Sequence, residues 1–253
     1  MKFLIWIVSL AALGLAATLA ALGPGMQAGF WDLGTAFGVM RMIALPLIGA
    51  AGLAGLVFLL ALWKARGLAL LAFVAFAVSG AAAYAPLKMR QMATSNPYIH
   101  DVTTDFDDPP QIVAAANEPR KNALAYDGAD KVGKTDQTVA EAQKAAFPDI
   151  IPLMSEADLQ TAAKAAREVI DQMGMKVLAE GPTSDQAGSG WRIEAVATSL
   201  WYGFKDDFIV RIRPEAAGGV RVDVRSESRV GGSDLGQNGA RIRKFMKALD
   251  AKI

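Results

Sequence analysis

Three uninterrupted apolar runs fill the first third of the chain: Phe3–Leu22, Met42–Leu62 and Gly67–Leu87. A bilayer's hydrocarbon core is about 30 Å thick, so a crossing helix needs roughly 20 apolar residues. Each run meets that length. Inside lipid a segment must satisfy its own backbone hydrogen bonds, so runs of this kind form helices. The pattern predicts a transmembrane region over residues 1–87, with spans at about 3–22, 42–62 and 67–87, and a soluble domain over 88–253. Pro46 is expected within the first turns of the second span, where its missing N–H costs least. Small residues at four-residue spacing (Ala12, Ala16 and Ala20; Ala51 and Gly55) are expected at helix contacts. The first run is longer than a signal-peptide core and further spans follow it, which favours an uncleaved anchor.

Beyond Leu87 the pattern changes period. Residues 88–153 are punctuated by Asn96-Pro97, Asp108-Pro109-Pro110 and Glu118-Pro119 and are expected to be irregular, apart from a helix over Thr135–Phe147 ended by Pro148. Ser155-Glu156-Ala157-Asp158 resembles a capping box. Leu159, Ala162, Ala163, Ala166, Val169, Ile170 and Met173 then mark one helical face, with Gly174 as its stop. Strands are predicted at Met175–Glu180, Trp191–Ser199, Asp207–Pro214 and Gly219–Glu227. Ile212, Val222 and Val224 alternate with Arg211, Arg213, Arg221, Asp223 and Arg225, and Gly218-Gly219 suits a hairpin. A last helix is expected to start at Ser233 or Asp234, burying Leu235, Ile242, Phe245 and Leu249. The fold class is α+β: a three-helix transmembrane region, then a two-layer domain with a mostly antiparallel four-stranded sheet covered by helices.

Charge narrows the partners. The membrane region holds only Lys2, Arg41, Lys64, Arg66 and Asp32, which leaves 22 bases and 24 acids in the soluble part. A nucleic-acid binder carries a basic excess, so that class is disfavoured. Without cysteine there is no disulfide, thiolate metal site or cysteine nucleophile. With His100 as the single histidine, a multi-histidine metal site within one chain is excluded. Lys64 and Arg66 in the tight second loop, against Asp32 and Arg41 in the first, place the N-terminus in the cytoplasm. Three spans then deliver the C-terminal domain to the far side, the periplasm of a bacterial inner membrane. Lys88 and Arg90 oppose this orientation.

Three stretches are distinctive: His100-Asp101-Val102-Thr103-Thr104-Asp105, Phe147-Pro148-Asp149-Ile150-Ile151-Pro152-Leu153 and residues 225–242. The last carries Arg-Ser-x-Ser-Arg-x-Gly-x-x-Asp-x-Gly-x-Asn followed by Arg-Ile. Together they resemble the family called domain of unknown function 1499, over roughly residues 95–250. The resemblance implies a domain boundary and brings no reaction or ligand.

Two clusters are candidates for chemistry. Gly231 and Gly232 permit a tight turn into the last helix, whose free N–H groups with Arg225 and Arg229 could hold a carboxylate or phosphate. Ser233, Asp234 and Asn238 belong to the same stretch. The competing reading is structural, with Ser233 or Asp234 as a cap and the arginines paired to Glu194, Asp206, Asp207 or Glu227. The second cluster is His100 with Asp101 and Asp105, as a general base or a metal site. Trp201 and Tyr202 suit core packing or a membrane interface. The leading expectation is a membrane-anchored, non-enzymatic binding or assembly module for an anionic ligand or a partner protein in the membrane, with no cofactor. The alternative is a hydrolase or metal-assisted enzyme using His100 and nearby aspartates.

Overall fold

A computed structural model of the chain describes residues 1–185 and 188–253. Packing divides it into two units: Met1–Met92 with Leu200–Gly203, and Ala93–Ser199 with Phe204–Ile253.

The first unit contains α1 (Lys2–Gln27), α2 (Leu33–Lys64), a 3-10 turn at Arg66–Leu68 and α3 (Ala69–Ser95). Over 18-residue stretches within them the mean hydropathies are 2.3, 2.4 and, within Arg66–Ser95, 2.1, and all three helices are long and apolar enough to cross a membrane. Asp32 caps α2 by accepting from the Thr35 N–H. Because α2 begins there, Pro46 lies well inside the helix rather than in its first turns. The buried stripe of α1 runs Ile5, Ser9, Ala12, Ala16, Leu19 and Leu22, while Ala20, expected at a contact, faces outward. Ala12, Ala54 and Ala75, one from each helix, pack together fully buried. Small side chains let the three backbones approach where lipid supplies no hydrophobic drive.

Among the described residues the second unit is built on a six-stranded antiparallel sheet, two strands more than the sequence pattern predicts. The four longer strands are β3 (Lys176–Asp185), β4 (Gly188–Thr198), β5 (Lys205–Pro214) and β6 (Val220–Ser228), joined as consecutive hairpins. The added strands, β1 (Asp101–Thr103) and β2 (Leu153–Ser155), have three residues each, too short for alternation to register. Both pair with the free side of β6, Val102 opposite Ser226 and Met154 opposite Arg221. The opposite edge, β3, is broken by a register shift between Val177 and Ala179 and carries Pro182, features that discourage pairing with another chain.

One face of the sheet is apolar. Ile193, Ala195, Phe208, Val210, Ile212, Val222 and Val224 bury against α5 (Leu159–Gln172) and α6 (Gln237–Asp250). Phe208 and Phe245 meet edge-on at 5.2 Å. Asp158 is the true cap of α5, accepting from the Gln160 and Thr161 N–H groups; Ser155 lies in β2 and takes no part in a capping box. The helix predicted at Thr135–Phe147 is shorter, α4 (Val139–Ala146), started by a capping box between Thr138 and Glu141. The start of α6 falls at Gly236, later than predicted, and Leu235 sits outside the helix with φ +58°.

The other face carries charges, and the irregular stretch after β1 covers it. Glu194 on β4 accepts from the backbone N–H groups of Val113, Ala114 and Ala115. Ile112 and Ala115 pack on Ile209 beside it. A sheet face studded with arginines is buried here because the covering segment adds Asp105, Asp108 and Glu118 to the acids of the sheet itself.

Candidate functional site

Strand β6 divides the family-like stretch between its two faces. Residues alternate, so Arg225 and Glu227 point into the charged layer while Ser226 and Ser228 point toward α6.

On the charged side Arg225 is fully buried. Its Nε donates to Asp101 at 3.0 and 3.2 Å, and Nη2 donates to Asp101 at 2.7 Å and to the Leu124 carbonyl at 3.0 Å. Arg229 donates to Asp207 through Nε and Nη2 and to Glu118 through Nη1 at 2.9 Å. Arg120 of the covering segment bridges Asp207 and Glu227. Nearby, Asp105 meets Arg211, Arg213 and Arg221, with Asp108 and Asp223 completing the group. Both arginines proposed for anion binding therefore have carboxylate partners. Asp207 is among the acids foreseen for Arg229, and Glu227, also foreseen, lies 3.8 Å from Arg225, whose hydrogen-bonded carboxylate is nevertheless Asp101 from β1.

On the helical side Asn238 is the hub. Its Nδ2 donates to the His100 carbonyl at 2.8 Å and to Ser228 Oγ at 3.1 Å; its Oδ1 accepts from Ser226 Oγ at 2.7 Å and from Arg241. Arg241 continues to Asp206 at 2.7 Å. Asp234 precedes the helix and accepts from the N–H groups of Gly236 and Asn238, occupying the place an anion would take. Ser233 Oγ accepts from the Leu235 N–H. Gly231 adopts φ +94° and its carbonyl accepts from Asn122. Gly232 lies where a Cβ would fall 2.7 Å from the Tyr98 hydroxyl. The second family-like stretch joins in: Asp149 pairs with Arg243, and Gly239 lets Phe147 pack against α6.

Thus Asp234, Asn238 and the His100 backbone come together, while Arg225 and Arg229 lie on the opposite face of the strand. The side chain of His100 approaches neither Asp101 nor Asp105 through an ion pair. Its Nε2 is 3.7 Å from Asp127 Oδ2. Sequence reasoning passed over Tyr126 and Asp127; nothing in an aperiodic segment marks them as neighbours of a strand 26 residues earlier. Among the described residues no group of three or more His, Asp or Glu side chains is arranged to hold a metal ion.

Burial dominates the electrostatics. It pushes Glu227 up to about 8, with Asp101 repelling its charge and Arg225 and Arg120 only partly offsetting this. Asp127 rises to about 6 through burial and the charge of Asp101, with His100 opposing. Burial raises Asp234 to about 6 against the helix N–H groups it accepts from. It also raises Asp101, against Arg225. Tyr126 OH, Asp127 Oδ1 and Glu227 Oε1 are buried without a hydrogen-bond partner among the described residues. A cavity of about 380 Å³ opens beside Tyr126, between Phe106, Pro109 and Ala140.

The family model described as Protein of unknown function (DUF1499) matches residues 101–249. The chain belongs to this family. The DUF1499 match begins at the first residue of β1 and ends in α6, so it takes in the whole sheet and both polar layers. No curated protein and no solved structure shows a match to the chain. In this DUF1499 domain the residues that carried the resemblance hold α6 to the sheet on one side and the covering segment to it on the other.

Proposed function

We propose that the chain is a membrane-anchored, non-enzymatic assembly module: residues 1–87 hold it in a bacterial inner membrane, and the domain from residue 88 onward faces the periplasm. The observation that carries this reading is the internal commitment of the polar groups offered for chemistry. Arg225 and Arg229 are spent on Asp101, Asp207 and Glu118, and Asp234 fills its own helix terminus. Of the two occupants considered, a partner protein fits better than an anionic small molecule, which would have to displace carboxylates from Arg225 and Arg229 and supplant Asp234 at the turn that holds Gly231, Gly232, Ser233 and Asn238. The membrane region is the natural meeting place for a partner that is itself in the bilayer. An alkaline phosphatase fused after Ile253 tests the orientation. Activity supports a periplasmic domain, and an inactive but stable fusion places it in the cytoplasm.

A second reading has one observation in its favour. His100 and Asp127 form a close pair near the cavity at Tyr126, the kind of arrangement a general base needs. His100→Ala separates the two readings: an assembly module keeps its cellular phenotype, and a hydrolase loses it.

A further inference from the structure

Helix α1 ends in Gly23, Pro24 and Gly25. Pro24 has no backbone N–H, so the carbonyl of Ala20 lacks its helical donor. The indole Nε1–H of Trp201 donates to that oxygen at 3.2 Å. The flanking glycines make room for rings. A Cβ on Gly23 would fall 2.3 Å from Trp201 Cδ1, and one on Gly25 would fall 2.0 Å from Trp31 Cζ2. Trp31 in turn donates to the Leu22 carbonyl at 2.8 Å. Gln27 Nε2 donates to the Trp201 carbonyl at 2.7 Å. Tyr202 is buried with its ring 5.3 Å from Phe37 and its hydroxyl 3.7 Å from Met40 Sδ on α2.

The segment Leu200–Gly203 is therefore seated at Ala20–Gln27 of α1 and Phe37–Met40 of α2. Both apolar runs stop at this level: the first ends at Leu22, and the second begins at Met42, directly after Arg41. Two sequence boundaries, set independently of the segment, thus coincide with its seat. A bilayer's interfacial zone lies where the hydrocarbon runs end, and it favours indole and phenol rings with one polar edge satisfied. At this level Leu200 is 98% exposed and Phe30 is 78% exposed.

We propose that Leu200 and Phe30 insert into the interfacial zone of the bilayer, making the Leu200–Gly203 segment a second, lipid-facing attachment beyond the three helices. This rests on the membrane reading above. Since the chain has no cysteine, Leu200→Cys, Phe30→Cys and Lys134→Cys each create a single labelling site at an exposed position. Each full-length variant would carry an environment-sensitive nitrobenzoxadiazole label in phosphatidylcholine–phosphatidylglycerol vesicles. Lipids spin-labelled near the headgroup and aqueous iodide, present on both sides, serve as quenchers. At positions 200 and 30 the lipid quencher is expected to act several-fold more strongly than iodide, with the reverse at 134. A label at 200 that responds to iodide as position 134 does overturns the proposal. So does a label at 200 shielded from both quenchers, which would mean that a second copy of the chain covers it. A sodium carbonate wash of the same vesicles separates the two claims. Release of the protein overturns the anchor reading itself, whereas retention with an iodide-quenched 200 overturns the lipid attachment alone.

Discussion

Arg225→Met removes a guanidinium held at 0% exposure and leaves Asp101, at 1% exposure, without its cation. The carbonyl of Leu124 loses a donor at 3.0 Å, and that of Pro110 a longer one at 3.4 Å. Breaking a buried ion pair from one side costs about 3–5 kcal/mol, because the surviving charge is stranded. The two carbonyls add about 1 kcal/mol each at most, and not additively. The single variant should therefore lose about 4 kcal/mol. Adding Asp101→Asn removes the stranded charge, so the double variant should be more stable than Arg225→Met by about 2 kcal/mol. Pulse proteolysis of the detergent-solubilised full chain across a urea series reads this directly, since the sheet domain holds the cleavable sites. A loss below about 1 kcal/mol for Arg225→Met, or a double variant that loses the sum of the two single losses, would refute the reasoning, because either result means that the pair is not coupled in the folded state.

Raised carboxyl groups make the domain favour acid. Glu227 is raised from 4.5 to about 8, so its contribution is fully present below its unfolded value and is lost as pH rises through 8. Between pH 6 and 8 the wild-type chain should lose about 2 kcal/mol of stability that Glu227→Gln does not lose; identical slopes for the two would sink the idea. Asn238→Ala deletes four hydrogen bonds at a fully buried position and should cost about 2–3 kcal/mol in the same assay. A loss under about 0.5 kcal/mol would show that α6 is held by its apolar stripe alone. Gly25→Ala should lower the melting temperature in detergent by driving a Cβ into Trp31, whereas Gly14→Ala, with nothing within 4 Å, should not; equal effects would contradict the seat described for the tryptophan.

The helical elements were legible because their signals are local. Twenty apolar residues, a cap and a 3–4 spacing all lie within a few turns of one another, and so does the Gly218-Gly219 hairpin. The charged sheet face was legible only as a pattern. Alternation placed Arg211, Arg213, Arg221 and Arg225 on one side of their strands. Of the acids that neutralise them Asp223 is local, but Asp101, Asp105 and Asp108 lie more than 100 residues earlier in a segment without periodicity. No local rule reaches that far, so the alternation does not show what covers the charged face. The same distance explains the missing strands. β1 and β2 exist because β6 offers a free edge, not because three residues prefer extension. Among the candidate site residues, the place of Asp234 against the N–H groups that open α6 could be read from type and spacing, although the cap position itself falls at Gly236. The pairing of His100 with Asp127 could not.

The distance between β1 and β6 also sets an order of events. Asp101 leaves the ribosome 124 residues before Arg225, and loop closure over such a span must be paid before any contact rewards it. Domains rich in such non-local pairings fold slowly. The covering segment is thus synthesised before the arginines of β5 and β6 that its acids pair with. A chain that terminates before β6 offers that segment Glu194 and Ile209 but neither Arg221 nor Arg225. The ion pairs that close the finished domain act as a test of completeness, which a prematurely truncated product fails and a protease can act on.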